Sequence, residues 1–135
     1  MSEVDNIARY RRLIEEGVGV GNLDLLDELL DPDISLPTID AFAEPTIEGL
    51  KSVNAAFRTG APDVRATIDE IYAAGDWVAA RLTWSGTHTG ELLGMPGSGQ
   101  HFSVTEFEIV RCRDGRIVDI RGLVNIGELV GQLSS

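Results

Sequence analysis

Apolar positions change their period about halfway along the chain. Ile7, Tyr10, Leu13, Ile14 and Val18 recur at helical spacing behind a capping Ser2 or Asp5, which predicts a first helix. Glycines at 17, 19 and 21 predict its end. A second helix is predicted over 23–30, capped by Asn22, with Leu25, Leu26, Leu29 and Leu30 as its apolar face and Asp31-Pro32 as its stop. Residues 34–39 predict a short edge strand interrupted by Pro37. Residues 40–49 read as a loop that covers a pocket entrance and carries Phe42. A third helix over 48–57 sets Leu50, Val53, Asn54 and Phe57 on one side. From residue 64 the period becomes two. Strands are predicted over 64–73, 76–90, 101–113 and 116–124, with turns at Gly75-Asp76 and Asp114-Gly115. The glycine-rich segment 91–100 is an irregular connection, and 125–133 predicts a short terminal helix.

Helices followed by adjacent antiparallel strands predict an α+β fold. The expected form is a cone-shaped α+β barrel, with N-terminal helices packed on the concave face of a curved, mainly antiparallel sheet. The open end of such a cone supplies a ligand cavity. At 135 residues, a single domain over 1–135 is expected.

Charge narrows the partners. Eleven basic residues against 22 acidic ones give a formal charge of -11, so no basic stripe is available for a nucleic-acid backbone or an anionic membrane surface. The one cysteine, Cys112, allows no internal disulfide, and reads as a buried or interfacial apolar residue. No Cys-x-x-Cys or His/Cys cluster suggests a metal, and no dinucleotide or flavin motif suggests a cofactor. No apolar run nears the ~20 residues that span a bilayer. The first residues have neither the basic nor the apolar region of a signal peptide, so a soluble, cytoplasmic protein is expected.

Alternation along the strands picks out candidate site residues. Val78, Ala80, Leu82, Trp84 and His88 share the face of the central strand that is expected to be buried. Val118, Ile120, Gly122 and Val124 share a face of the last strand. On the strand between, Val104, Glu106, Glu108 and Val110 share a face opposite Phe107 and Ile109. Either the acids are solvated outside, or both enter a largely apolar pocket. In the second case burial raises the pKa of a carboxyl and equips it as a general acid or base. His88 is a candidate relay or a structural hydrogen-bonding group. Asn125 is a candidate donor to a substrate carbonyl or a helix cap. Trp84, Tyr72, Phe42 and Phe57 are candidates for gripping a planar substrate.

Residues 81–90 (Arg-Leu-Thr-Trp-Ser-Gly-Thr-His-Thr-Gly), Leu93-Gly94-Met95-Pro96, the run from Arg111 to Val118 and the terminal Gln132-Leu133 resemble the SnoaL-like polyketide cyclase family. That family lies in the nuclear-transport-factor-2-like superfamily. The resemblance implies helices over a curved sheet, and a homodimer through the sheet's outer face. It implies cofactor-free and metal-free ring closure by intramolecular aldol condensation, on large, flat, mostly aromatic polyketide esters. An Asp takes the activated proton and a His supports the polar network. Matched onto this chain, the family's acidic position falls at Gly122 and a second at Asn125. The tryptophan before the first acid falls at Arg121, and the histidine at or next to Glu108. The chain thus departs from the family where the chemistry belongs. Glu108 could take the base role with Glu106 raising its pKa, while Gly122 widens the pocket.

Three functions follow as alternatives. The first is a cofactor-independent cyclase or isomerase working through an enolate on a hydrophobic, planar, polyketide-like molecule. The second is a non-catalytic small-molecule binder, for which Gly122 and Asn125 speak. The third is a cofactor-free hydroxylase of aromatic polyketides, separable by oxygen consumption.

Overall fold

The computed structural model describes residues 2–39 and 43–134. Helix α1 (Glu3–Arg12) starts at Ser2, whose Oγ accepts from the Asp5 amide at 3.1 Å. It runs on as a π-helical segment (Leu13–Val18) and breaks at Gly17, with φ -108° and ψ -105°. Helix α2 (Leu25–Leu29) is short. Strand β1 (Leu30–Ser35) begins four residues before the predicted edge strand and runs through Pro32. An edge position tolerates a residue that lacks an amide donor. Helix α3 (Ile47–Gly60) is capped by Thr46, whose Oγ1 accepts from the Gly49 amide.

Four strands follow as predicted: β2 (Arg65–Ala74), β3 (Trp77–Thr87), β4 (His101–Arg113) and β5 (Arg116–Val124). Both tight turns carry positive φ, 59° at Gly75 and 51° and 80° at Asp114 and Gly115. The sheet order is β1-β5-β4-β3-β2, with β1 parallel to β5 and every other pair antiparallel.

The expected cone-shaped barrel is corrected here. The sheet is open, with β1 and β2 as its two edges, and is neither closed nor strongly curled. The helical layer explains why closure is unnecessary. Tyr10, Leu13, Ile14, Leu26 and Leu29 pack in one core with Val78, Ala80, Leu82 and Val110, so two layers bury the apolar face of the sheet. The predicted facing of β3 holds: Val78, Leu82 and His88 are fully buried. On β5 the phase breaks. The register shifts between Arg111 and Cys112, so Ile117, Asp119 and Ile120 are all buried before alternation resumes at Gly122.

Helix α4 (Ile126–Leu133) solves a pairing problem at the cavity end. β5 stops opposite Glu106, leaving the start of β4 without a strand on that side. The side chains of Glu128 and Gln132, one helical turn apart, replace it. Glu128 Oε1 accepts from the Thr105 amide at 2.8 Å, and Gln132 both accepts from and donates to the Ser103 backbone at 2.7 Å. Among the described residues, no helix is long and apolar enough to cross a membrane.

Candidate active site

Between the sheet and the helices lies a cavity of about 440 Å³ with a predominantly apolar lining. Leu13, Ile14 and Val18 line it from the first helical stretch, Val53 and Phe57 from α3, Trp84 and Val104 from the sheet. Phe57 meets the Trp84 ring edge-on, with centroids 6.3 Å apart. At the rim, Leu93 sits in a left-handed conformation (φ 53°) beside Gly94 (φ 77°). Reciprocal 2.9 Å bonds between Leu92 and Met95 close this tight turn.

Into this apolar space project two carboxyl groups, Glu106 and Glu108. They are two residues apart on β4, so the pleat puts them on one face. Their row explains the available room. Glu108 is flanked across the sheet by Ala80 on β3 and Gly122 on β5, the smallest neighbours the sheet offers. A Cβ at Gly122 would lie 2.6 Å from Glu106 Oε2 and 3.2 Å from Glu108 Oε2. Position 122 must therefore be empty for the two acids to converge as they do.

Each acid has its own donor. Trp84 Nε1 donates to Glu106 Oε1 at 2.8 Å, and the Tyr10 hydroxyl donates to Glu108 Oε1 at 2.7 Å. The Oε2 atoms of both carboxyls converge on the space in front of Gly122, so the charge of one acts on the other. Burial holds both above the ordinary carboxyl range. For Glu106 the indole bond works against that rise; for Glu108 the nearby charge of Glu106 adds to it. Burial, then the neighbouring acids, push the Tyr10 phenol far upward, so it stays a neutral donor. The cavity's cationic lining residue, Arg58, is occupied elsewhere: it donates to the carbonyls of Val64 and Val18, both at 3.0 Å.

The structure thus brings together Glu108, Glu106, Trp84, Phe57 and Gly122, and sets the other candidates apart. His88 does not line the cavity. It is fully buried, with Nδ1 2.8 Å from Ser98 Oγ and Nε2 3.2 Å from the Met95 carbonyl, and so ties down the 89–100 connection. Asn125 caps α4, its Oδ1 accepting from the Glu128 amide at 3.1 Å. Tyr72 lies on the opposite face of the sheet, 64% exposed, because its place on β2 opposite Ala79 puts it out of phase with the buried row. Phe42 lies outside the described residues.

Tyr10 is the participant that sequence reading missed. Its helical spacing places it in an apolar stripe, and its ring does pack there. A buried phenol needs a hydrogen-bond partner, and that was the available signal. Thr38 was missed as well; its Oγ1 accepts from the Gly122 amide at 3.1 Å. Among the described residues, no group of three His, Cys, Asp or Glu side chains is placed to hold a metal ion.

A two-layer α+β fold with an apolar cavity and an internal acid pair defines a small-molecule site. Comparison with known proteins places it more narrowly. A model of the SnoaL-like polyketide cyclase family matches residues 8–133. The aklanonic acid methyl ester cyclase AcmA of Streptomyces galilaeus is 30% identical over 115 residues, covering 84% of this chain and 79% of that protein. The nogalonic acid methyl ester cyclase of Streptomyces nogalater is 34% identical over 110 residues, covering 75% of this chain and 77% of that protein. The crystal structure of IdmH, a candidate polyketide cyclase of Streptomyces antibioticus, superposes with a TM-score of 0.82 at 34% identity, covering 100% of both chains. The chain belongs to the SnoaL-like polyketide cyclase family, within the nuclear-transport-factor-2-like superfamily.

Proposed function

We propose that this protein closes or isomerises a ring on a polyketide-like small molecule, through an enolate of the intramolecular aldol type, with Glu108 as its acid–base group. The observation that carries the reading is the carboxyl pair facing an apolar cavity. A desolvated carboxyl with a raised pKa can exchange protons with a weakly acidic carbon near neutral pH. The named relatives support the substrate class, since they are cyclases of aklanonic and nogalonic acid methyl esters, and the matched family is one of polyketide cyclases. The edge-on Phe57–Trp84 pair and the aliphatic lining suit a flat, apolar ligand.

The test is a pair of measurements on aklanonic and nogalonic acid methyl esters. Binding is followed by quenching of tryptophan fluorescence, and ring closure by product analysis. Glu108→Gln should bind within a few-fold of the native protein and lose turnover by ~10²–10⁴-fold, the usual worth of a positioned acid or base. Unchanged turnover would remove Glu108 from this role. A binding-only reading draws on the position of His88 and Asn125 away from the cavity; it calls for tight binding of an ester that comes back unchanged.

The reading includes a homodimer. Phe107 and Ile109 on β4, Leu123 on β5 and Tyr72 on β2 lie exposed, with Arg81 and Arg121 beside the β4 pair, and a second copy would cover these apolar side chains. Light scattering should give twice the chain mass, falling to the monomer mass in Phe107→Glu.

A further inference from the structure

We infer that the two acids share one proton and divide the work: Glu106 is the ionised half and takes the substrate proton, while Glu108 is the protonated half and returns one. The inference rests on the cyclase reading above and narrows it: Glu106 joins Glu108 as a catalytic residue and takes over the step at carbon, which leaves Glu108 the step at oxygen.

Two ionised carboxylates are acceptors only and repel each other, and an apolar wall leaves that repulsion unscreened. One proton held between them removes the second charge and supplies the missing donor. Their Oε2 atoms converge in front of Gly122, where there is room for that contact and for no side chain. Among the described lining residues, no cation offsets a second charge. Arg58 spends two of its donors on backbone carbonyls, and the groups bonded to the pair from α1 and β3 are the neutral Tyr10 and Trp84.

The two outside donors decide which acid holds the proton. An indole N–H can only donate, so the Trp84 bond favours the ionised form of Glu106. A phenol serves either form of a carboxyl, and among the described residues Tyr10 is the side-chain donor to Glu108. Glu108 also sits between Ala80 and Gly122, which bring no polar side chain to its charge. Burial, then the Glu106 charge, raise the pKa of Glu108, in the same direction.

One proton is enough for a complete cycle. The Glu106 carboxylate removes a proton from the carbon beside a substrate carbonyl, and the C–H electrons pass into the enolate. The enolate carbon bonds to a second carbonyl carbon, whose π electrons move onto its oxygen. Glu108 protonates that oxygen. Glu106 now holds a proton and Glu108 does not. Transfer across the bond between them restores the starting state. No proton is lost to solvent, and no oxidant or reductant is required.

The test has a spectroscopic arm and a chemical one. At neutral pH exposed carboxyls are ionised, so a carboxylic-acid C=O stretch in the infrared spectrum of protein labelled with ¹³C-glutamate isolates the buried proton. The expected native spectrum shows one such band. It should vanish in Glu108→Gln and survive in Glu106→Gln. No band in the native protein, or the reverse pattern in the variants, overturns the assignment. In the chemical arm the two methyl esters are incubated in D₂O. Glu108→Gln should still exchange the acidic C–H faster than buffer while losing ring closure; Glu106→Gln should lose both by ~10²-fold or more. Exchange that survives in Glu106→Gln and disappears in Glu108→Gln overturns the division of labour. If the native protein alters neither ester, the cyclase reading falls, and with it the catalytic use of the pair. The spectrum alone then still decides which carboxyl holds the proton.

Discussion

Two polar sites inside the fold, one buried and one lining the cavity, lie on adjacent strands and have opposite characters. His88, at the end of β3, is fully enclosed, and both ring nitrogens have partners within the 89–100 connection. Among the described residues, Glu106 and Glu108 on β4 take one side-chain donor each from outside the pair, converge at Gly122, and face about 440 Å³ of space. The difference teaches how to read a buried ionisable group. A group whose hydrogen bonds are complete and local, with no room beside it, fastens the chain. A group that is poorly satisfied and faces a cavity is available to a ligand.

Substitution should separate the two sites cleanly. The largest expected effect is the loss of ~10²–10⁴-fold in ring closure by Glu108→Gln, without loss of the thermal midpoint. His88→Ala should do the converse. Removing a fully buried side chain and orphaning its partners should cost about 2–4 kcal/mol in urea unfolding. The folded fraction should keep turnover within a few-fold. If His88→Ala instead abolished turnover at full stability, the contrast would fail.

Tyr10→Phe is a finer probe. It leaves the ring packed and removes the donor to Glu108 Oε1, so stability should fall by about 1–3 kcal/mol, the range for an unsatisfied buried acceptor. Ring closure should fall by ~10-fold or more as the carboxyl loses its anchor. Gly122→Ala should also weaken ring closure, because a methyl group 2.6 Å from Glu106 Oε2 must push that carboxyl off its partner. Full activity in Gly122→Ala would show that the convergence of the pair does not matter.

The smallest effect is in the pH dependence of stability. Glu108 has a folded-state pKa raised above the unfolded value of ~4.3. Between those values the folded protein binds more protons than the unfolded one. Stability from this group is therefore full below ~4.3 and is lost as pH rises through the raised value. Glu108→Gln should flatten that decline and be the more stable protein at neutral pH. An unchanged slope in the urea midpoint against pH would argue that the carboxyl is solvated.

Much of this architecture was legible because periodicity reports burial. The change from a 3.6-residue to a two-residue repeat located α1, α3 and β2 to β5, and the Asp114-Gly115 turn fixed the β4–β5 hairpin. The shared face of Glu106 and Glu108 followed from alternation alone. What the pattern could not carry was long-range. Closure of the sheet depends on whether its edges meet, and strand patterns are the same in open and closed sheets. The short parallel strand β1 pairs with β5 across most of the chain's length, which no local signal announces. Tyr10 and Glu108, 98 residues apart, meet only once α1 lies on the sheet. The role of Gly122 appeared only when its missing Cβ could be placed against two carboxyl oxygens.

The most direct measurement is a crystal structure of Glu108→Gln, slowed in turnover, with aklanonic or nogalonic acid methyl ester bound. The account expects the ester in the apolar cavity, its plane against Trp84 and Phe57. The carbon that loses its proton should lie within reach of Glu106, and the acceptor carbonyl should be hydrogen-bonded to the side-chain amide introduced at position 108. An ester seated elsewhere, or one in the cavity with its reacting carbons turned away from β4, would contradict it.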